Sequence, residues 1–376
     1  MTSRRVNAVS PSATLRISEA AKQLRREGKP VVDMSVGEPD FPTPSFIIEA
    51  AYKAMKDGKV FYTPSRGIPE LLEAISWKLK EENGIDFSPE NIITTPGAKY
   101  AIFEAVMSLV DEGDEVILLD PSWVTYEACV LMAGGKVIWV PHTENFQDAP
   151  VEDYITEKTR MIIFNSPNNP LGVVYPDSFL KKLRDLAIDH DIFVMSDEIY
   201  EKIIFDGEHK SIASMDGMLE RTILINGLSK TYSMTGWRIG YAAAREDIIK
   251  AMARIQSHSV SHPTSFVQYA AVEAIKGDQG FIEEMVAEFK ARRDILMEGL
   301  DKLGIKYAPP QGAFYIFMDV GENSMDFSER FLKEKYVATT PGAAFGKSYG
   351  SWVRVSYATS RENIQEMLGR LEDFIS

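Results

Sequence analysis

Lys230 stands in a stretch whose residue types support covalent chemistry on a carbonyl group. An apolar run from Thr222 to Ile225 ends at Asn226-Gly227, Lys230 follows among small residues, and Arg238 comes eight positions later. A strand that ends in such a turn brings the lysine to one edge of a sheet, where ligand sites of α/β folds tend to lie. A buried amine at that edge can form a Schiff base with a carbonyl. Because an isolated lysine is usually a solvated surface residue, the rest of the chain must support this interpretation.

Asp197 also follows an apolar run that predicts a strand. A carboxylate at a strand end is costly to bury unless it meets a cation, so Asp197 is a candidate partner for a positively charged ligand group. The alternative, an aspartate that only caps the following helix, stays open on the sequence alone.

Two segments have the residue types that bind a phosphate. Residues 94–99 join a predicted strand to a helix that begins near Tyr100, so their backbone amides lie at the positive end of that helix. Pro-Gly turns between strands and helices are common, which makes this segment a weak signal by itself. The planar guanidinium of Arg238 suits bidentate phosphate binding better than an ammonium does.

Three further positions place a chemically useful side chain at a strand or in a rigid loop. Trp123 follows a strand and could stack on a planar ring, although core packing explains an aromatic residue there equally well. Asn169 belongs to a pair of asparagines between two prolines, which fix the amide groups in a rigid loop. Arg354 is a charge within an apolar strand, where a buried structural salt bridge is the alternative to a substrate site.

Composition limits the classes of function. The chain has 376 residues, 45% hydrophobic and 26% charged, which is enough for two packed globular domains. Its net charge of -14 argues against a nucleic-acid or anionic-membrane partner. We expect a cytoplasmic protein, because no apolar run approaches the ~20 residues of a membrane span and the N-terminus lacks the apolar part of a signal peptide. The single cysteine, Cys129, excludes an internal disulfide and a four-cysteine metal site.

The pattern of elements predicts an α/β fold with a mostly parallel sheet of seven strands, covered by helices on both faces. The strand candidates are residues 92–95, 115–119, 136–140, 161–165, 192–196, 222–226 and 239–243. An apolar run predicts another strand over residues 31–36, and a long helical pattern with two late strands predicts a small α+β unit at the C-terminus. We therefore expect a large domain of residues 46–275 and a small domain of residues 276–376, completed by an N-terminal arm of residues 1–45.

Ser229-Lys230 with Gly236-Trp237-Arg238-Ile239-Gly240 resembles the cofactor-lysine segment of the pyridoxal-phosphate aminotransferases of the aspartate aminotransferase superfamily. The other motifs occur in that family's order, from about Pro11 to the C-terminal helix. The resemblance implies a fold type I transaminase that uses pyridoxal 5'-phosphate. It further implies that Lys230 is catalytic and that an amino group passes from an L-amino acid to a 2-oxo acid with ping-pong kinetics.

The resemblance also implies roles for the remaining motif residues. For the cofactor they are Gly97, Ala98 and Lys99 at the phosphate turn, Trp123 against the ring, Asn169 and Tyr200 at the phenolic oxygen, Asp197 at the ring nitrogen, Lys230, Arg238 at the phosphate, and Tyr62 from the other subunit of a homodimer. For the substrate they are Gly37, Lys99, Trp123, Asn169 and Arg354, the last for the α-carboxylate, and no metal is implied. Many relatives have a serine three positions before the lysine, where this chain has Gly227, which leaves Ser229 as the candidate substitute.

The substrate prediction depends on fewer residues. The chain has no arginine between Gln256 and Pro263, the region where one group of the superfamily takes an arginine from the neighbouring subunit for the distal carboxylate. Lys99 and the arm of residues 11–14 instead resemble the bacterial and archaeal subgroup that reads aspartate with a lysine and N-terminal hydroxyls. We therefore expect aspartate as donor and 2-oxoglutarate as acceptor.

Other activities of the same fold remain alternatives. They are an aromatic, kynurenine, prephenate or broad-range aminotransferase, and a pyridoxal-phosphate β-lyase. An aminotransferase-like transcriptional regulator is the non-enzyme alternative, although it would need an appended DNA-binding domain and about 45 residues precede the expected large domain. Residues 342–348 look like a nucleotide phosphate loop but have one residue too few between their glycines, so we expect no nucleotide there.

Overall fold

The computed structural model describes residues 2–9 and 13–376, and for residues 13–15 it describes the backbone alone. The hydroxyls predicted for the arm of residues 11–14 therefore lie outside the described part of the chain. Within that part, no helix is both long and apolar enough to cross a membrane.

The described strands and helices follow in chain order. The strands are β1 (Val32–Asp33), β2 (Ile92–Thr95), β3 (Glu115–Asp120), β4 (Lys136–Pro141), β5 (Thr159–Asn165), β6 (Phe193–Asp197), β7 (Thr222–Gly227), β8 (Gly240–Ala243), β9 (Tyr307–Ala308), β10 (Tyr315–Asp319), β11 (Val337–Ala338), β12 (Thr340–Pro341) and β13 (Trp352–Ser356). The α-helices are α1 (Arg4–Asn7), α2 (Ala13–Arg26), α3 (Ser45–Lys56), α4 (Pro69–Asn83), α5 (Ala98–Leu109), α6 (Val124–Ala133), α7 (Asp177–Asp189), α8 (Glu246–Ser257), α9 (Ser265–Lys276), α10 (Gly280–Lys302), α11 (Ser324–Lys335) and α12 (Arg361–Ile375).

The largest sheet contains the seven predicted strands and confirms the α/β fold class. Its order is β2-β8-β7-β6-β5-β3-β4. β8 runs antiparallel to both of its neighbours, β2 and β7, and the remaining pairs of described strands in this sheet are parallel. The carboxyl ends of the parallel strands therefore meet at one edge, where α/β folds bind ligands. Asn165 and Asp197 stand there at the ends of β5 and β6, and β7 leads from the same edge to Lys230.

Side chains on both faces of this sheet are buried, which explains why its strands read as nearly continuous apolar runs. On one face Ile117, Ile162 and Val194 pack in a cluster with residues of α7. On the opposite face Val116 and Met161 pack in a cluster with residues of α5, α6 and α8. Helices thus cover both faces, as the alternation of strands and helices predicts.

The two ends of the chain meet in smaller sheets. β12, β13, β10 and β9 form a four-stranded sheet, and β1 pairs with β11 in parallel. β1 is shorter than the strand predicted over residues 31–36. Just after it, the Asp33 carboxylate accepts hydrogen bonds from the backbone amide and the hydroxyl of Ser35. We propose that the predicted boundaries at residues 45 and 275 separate the two domains.

The segment of residues 342–348 contacts the end of β3. The backbone amides of Lys347 and Ser348 donate to Oδ2 of Asp120 at 3.0 and 2.9 Å, and the Ser348 hydroxyl donates at 2.8 Å. Gly346 lies so close that a Cβ there would overlap the Asp120 carboxylate. An internal carboxylate therefore takes the place that an anion would take in a phosphate loop, and it connects the large sheet to the C-terminal unit.

Candidate active site

A cavity of about 590 Å³ opens at the carboxyl edge of the large sheet. Its walls come from that sheet, from the C-terminal sheet and from the N-terminal segment. Ten predicted site residues line it, namely Gly37, Ala98, Lys99, Trp123, Asn169, Asp197, Tyr200, Lys230, Arg238 and Arg354. Residues spread over more than 300 positions of the chain thus face one space.

Lys230 follows the turn after β7 and faces this cavity. Its amine donates a hydrogen bond to the carbonyl oxygen of Gly37 in the N-terminal segment. Burial lowers the pKa of Lys230 to about 8, with Arg354 and Arg238 acting in the same direction and Glu38 opposing them. An amine with this pKa is neutral in a substantial fraction of molecules near pH 8, which a nucleophile or a general base requires.

Asp197 is buried at the end of β6. Its Oδ2 accepts a hydrogen bond from the Tyr126 hydroxyl at 2.6 Å, and its Oδ1 accepts one from the backbone amide of Ile199 at 3.2 Å. Burial raises the pKa of Asp197 to about 6, although these two hydrogen bonds lower it. The chain continues from Asp197 in a turn and not in a helix, so the capping alternative does not apply.

The phosphate turn and Arg238 lie against each other. Gly97 caps α5 with φ of 83°, a conformation that glycine adopts easily, and α5 begins at Ala98. The Arg238 guanidinium packs on Gly97 and donates to the carbonyl oxygen of Pro96 at 3.2 Å. Gly240 must lack a side chain, because a Cβ there would overlap the backbone of Ala98. A cation therefore stands beside the positive end of a helix, an arrangement that suits a dianion.

The packing around Gly227 partly explains why this chain has glycine where many relatives have serine. A Cβ at Gly227 would lie 2.9 Å from the Cα of Gly240, its partner in the β7–β8 pair. Gly227 borders a separate cavity of about 20 Å³, whereas Ser229 lines the large one. The hydroxyl that faces the large cavity from this turn is thus that of Ser229.

Arg354 lies in β13 and is buried beneath the cavity. Its Nη1 donates to Oδ1 of Asn169 at 3.0 Å, and its Nη2 donates to the carbonyl oxygen of Ser35 at 2.8 Å and to the hydroxyl of Thr340 at 3.2 Å. None of these acceptors is a carboxylate, so the alternative of a buried salt bridge is wrong. The Arg354 Nε has no hydrogen-bond partner among the described residues. A buried guanidinium with an unused donor fits an incoming carboxylate.

Lys99 and Trp123 form a second part of the wall. The Lys99 ammonium lies 5.0 Å from the centre of the Trp123 ring, within the range of a cation–π contact. Burial lowers the pKa of Lys99, and the nearby Arg238 lowers it further. Trp123 in turn meets the Tyr126 ring edge to face at 5.5 Å. The aromatic ring therefore faces the cavity beside a cation and is not simply a core residue.

Asn165 is a cavity residue that the sequence interpretation missed. Its side-chain amide donates to the backbone carbonyl of Asp197 at 2.8 Å, and its Oδ1 accepts from the backbone amide of Asn169 at 2.8 Å. It therefore holds the loop of Asn169 against the end of β6. A polar residue at the end of an apolar strand is the same signal that indicated Asp197, so Asn165 could have been predicted.

Tyr126 and Tyr315 were also missed. Tyr126 holds the Asp197 carboxylate, and the Tyr315 hydroxyl lies 2.9 Å from that of Tyr200. The Arg354 guanidinium lies 4.4 Å from the centre of the Tyr315 ring. Both tyrosines stand in apolar patterns, one in a helix and one in a strand, where an aromatic residue looks like ordinary core.

Two predicted site residues do not line the cavity: Gly97, which lies directly beside Arg238 and Ala98, and Tyr62. The Tyr62 side chain is 91% exposed and packs edge to face on His262 at 5.6 Å. In this single chain it contacts no other predicted site residue described here. Its assigned role requires a second subunit.

The fold and the cavity define a class of protein. A lysine amine, a buried carboxylate, a helix start with an adjacent arginine, and an aromatic ring are the donor set that a phosphorylated pyridine aldehyde requires. The residues therefore fit pyridoxal phosphate, and they are arranged on the sheet and small-domain architecture of a fold type I transaminase.

The chain belongs to the aminotransferase class I and II family, whose model matches residues 29–371. It is 42% identical to an aspartate aminotransferase of Thermotoga maritima, over all of both chains. It is 44% identical to an aspartate/prephenate aminotransferase of Thermus thermophilus, over 98% of this chain and 97% of that one. The solved structure of an aspartate aminotransferase from Thermus thermophilus with maleate superposes with a TM-score of 0.96 at 42% identity, over 99% of each chain. The protein is thus a transaminase that depends on pyridoxal phosphate.

Proposed function

We propose that this protein transfers the amino group of L-aspartate to 2-oxoglutarate. The observation that carries the proposal is the presence of two cations on different walls of one cavity, Arg354 from β13 and Lys99 from α5. A dicarboxylic substrate needs one cation for each carboxylate. Because the protein as a whole is acidic, these cationic side chains must stand within the cavity itself. Two relatives carry aspartate in their names, and the solved relative contains maleate, a dicarboxylate.

The chain's own residues have distinct tasks in this reaction. When bound, pyridoxal phosphate supplies the electron sink for the electron pair left at the substrate's α-carbon. Arg354 holds the α-carboxylate and fixes the orientation of the substrate. Lys230, with its pKa of about 8, takes the proton from the α-carbon and returns it on the cofactor side. Asp197, ionised above its pKa of about 6, provides the negative charge at the ring nitrogen.

The phosphate of the cofactor would be held by one wall of the cavity. We assign it to the amides of Ala98 and Lys99, to Arg238 and to the Ser229 hydroxyl. Gly97 forms the turn before these amides, and its own amide donates to the carbonyl oxygen of Thr95. Trp123 would stack on the ring, and Asn169 and Tyr200 would donate to its phenolic oxygen. Gly37 contributes backbone to the substrate side.

The substrate proposal is tested by following the visible absorbance of the bound cofactor while one donor is added at a time. We expect aspartate and glutamate to convert the cofactor to its amino form faster than phenylalanine or kynurenine does. Lys99→Leu should lower kcat/KM for aspartate roughly 10- to 100-fold, the effect of losing a charge-assisted hydrogen bond, and should leave phenylalanine nearly unchanged. Equal aspartate kinetics in both proteins would rule out this role for Lys99.

An aromatic or prephenate substrate is the second candidate. Trp123, Ile102 and Phe345 give the cavity apolar walls, and one relative is named for both aspartate and prephenate. Faster conversion by phenylalanine than by aspartate in the same experiment would favour this candidate.

We also propose that the functional unit is a homodimer in which Tyr62 reaches the phosphate of the partner's cofactor. The neighbouring Phe61 is 79% exposed, and Tyr52, Ile48 and Val260 are also exposed apolar side chains. Unpartnered apolar side chains of this kind mark interaction sites, and a second copy of the chain is the partner that also explains Tyr62.

Complementation between two variants tests this sharing of residues. Tyr62→Ala should weaken cofactor affinity roughly 10- to 100-fold, because it removes a hydrogen bond to a charged group. Coexpression with a Lys230→Ala chain should produce hybrid dimers with one intact site, built from Lys230 of one subunit and Tyr62 of the other. Activity of the purified hybrid at low cofactor concentration is the measurement. A hybrid no more active than the Tyr62→Ala homodimer would contradict the exchange of Tyr62 between subunits.

A further inference from the structure

α2 contributes two side chains to the cavity that none of the assigned roles uses. Ser18 and Lys22 lie one turn apart on this helix, and both line the cavity. Ile17 and Ala21 occupy the adjacent stripe and are buried against Leu332. Residues four apart stand on one face of a helix. Because Ile17 and Ala21 are packed against the protein, the neighbouring face with Ser18 and Lys22 is directed toward the cavity.

The helix is tied to the same part of the protein that carries Arg354. α2 packs against α11, β11 and β12, and β12 pairs with β13 so that Thr340 is the register partner of Arg354. Arg25, in the last turn of α2, lies 3.6 Å from the Asp33 carboxylate and fixes the end of the helix. Lys22 therefore stands on the wall of Arg354, whereas Lys99 stands on the wall formed by α5.

The charges of the cavity leave Lys22 without a task in the proposed function. Five cationic side chains line the cavity, namely Lys22, Lys99, Lys230, Arg238 and Arg354, and two carboxylates do, Glu38 and Asp197. Lys230 and Arg238 serve the cofactor, and Arg354 serves the α-carboxylate. Lys99 contacts the Trp123 ring on the wall formed by α5, and the side chains of Lys99 and Lys22 are both exposed. The two remaining cations thus differ in the wall from which they reach the cavity.

We propose that Lys22, assisted by the Ser18 hydroxyl, is a specificity-determining residue for the longer dicarboxylic substrates. A transaminase with two substrates must accept distal carboxylates at two distances from the same α-carboxylate site. Lys99 binds the distal carboxylate of the four-carbon substrate from the wall of α5. Lys22 contacts the distal carboxylate of the longer five-carbon pair, glutamate and 2-oxoglutarate, from the wall of α2. This inference rests on the proposed function for its substrate class.

The test compares Lys22→Met with the wild-type holoenzyme in single half-reactions with glutamate, aspartate and phenylalanine. We expect kcat/KM for glutamate to fall roughly 5- to 10-fold through KM, because a partly solvated charge contact contributes to ground-state and transition-state binding alike. Aspartate should change less than about 3-fold and phenylalanine not at all. Lys22→Glu should enlarge the loss for glutamate, Lys22→Arg should restore the wild-type value, and added salt should reduce the difference.

The matched control is Arg26→Met, one turn further along α2 at an exposed position that does not line the cavity. It should leave all three donors unchanged. Equal losses for all three donors in Lys22→Met would mean that the helix has only a structural role, and an unchanged kcat/KM for glutamate would overturn the proposal directly. The two proposals can also fail separately. If the wild-type enzyme does not react with aspartate, the proposed donor is refuted, and a loss of glutamate activity in Lys22→Met would still support the role of Lys22.

Discussion

Lys230→Ala is expected to abolish repeated turnover with every amino donor, with a loss of at least ~10⁴-fold in kcat. We assign proton transfer on the α-carbon to this amine, and its replacement also removes the proposed covalent attachment point for the cofactor. The measurement is formation of the 2-oxo acid over many enzyme equivalents in the presence of added pyridoxal phosphate. The loss should be independent of the donor, unlike the loss caused by Lys99→Leu.

Lys158→Ala is the matched control for this prediction. Lys158 is an exposed lysine before β5 and does not line the cavity, so its removal should leave turnover unchanged. Undiminished repeated turnover by Lys230→Ala would show that the catalytic base lies elsewhere.

Asp197→Asn is expected to have two opposite effects. The kcat should fall on the order of 10²- to 10³-fold, because the substitution removes the preorganised negative charge of the Asp197 carboxylate, which stabilises the charge that develops during the reaction. The apoprotein should become more stable at pH 7.5 by ~3 kcal/mol, since a buried carboxylate with a pKa of about 6 is ionised there at a cost that the unfolded chain does not bear. Steady-state kinetics of the holoenzyme and denaturant unfolding of the apoprotein measure the two effects.

The gain in stability should depend on pH in a defined direction. Because the folded pKa of Asp197 is raised, the folded apoprotein binds the extra proton between about pH 4 and pH 6, and the stability linked to that proton is lost as pH rises through this window. The advantage of Asp197→Asn should therefore shrink to ~1 kcal/mol near pH 4.5. A destabilised variant at pH 7.5, or a gain that grows in acid, would show that the hydrogen bond from Tyr126 outweighs the cost of the buried charge.

Much of this protein could be predicted from local sequence. Strands buried on both faces require continuous apolar runs, so the seven strands of the large sheet were visible in the sequence, and so was the loss of alternation after Ala244. Parallel strands bring their carboxyl ends to one edge, so Asp197 and Lys230 could be placed near each other without knowledge of any contact. Their joint position in the cavity follows from topology, which the order of elements largely determines.

The tertiary structure decided which partners each side chain has. Tyr126 and Tyr315 look like core residues in the sequence, and only packing brings their hydroxyls to Asp197 and Tyr200. Asp120 occupies the turn that resembles a phosphate loop because two units more than 200 residues apart meet there. Lys22 reads as one more exposed charge on an amphipathic helix. Hydrogen bonds and cavity walls formed by distant segments leave no periodic pattern in the sequence. They depend on how the separately predicted elements are positioned against one another, and the packing of the whole chain determines those positions.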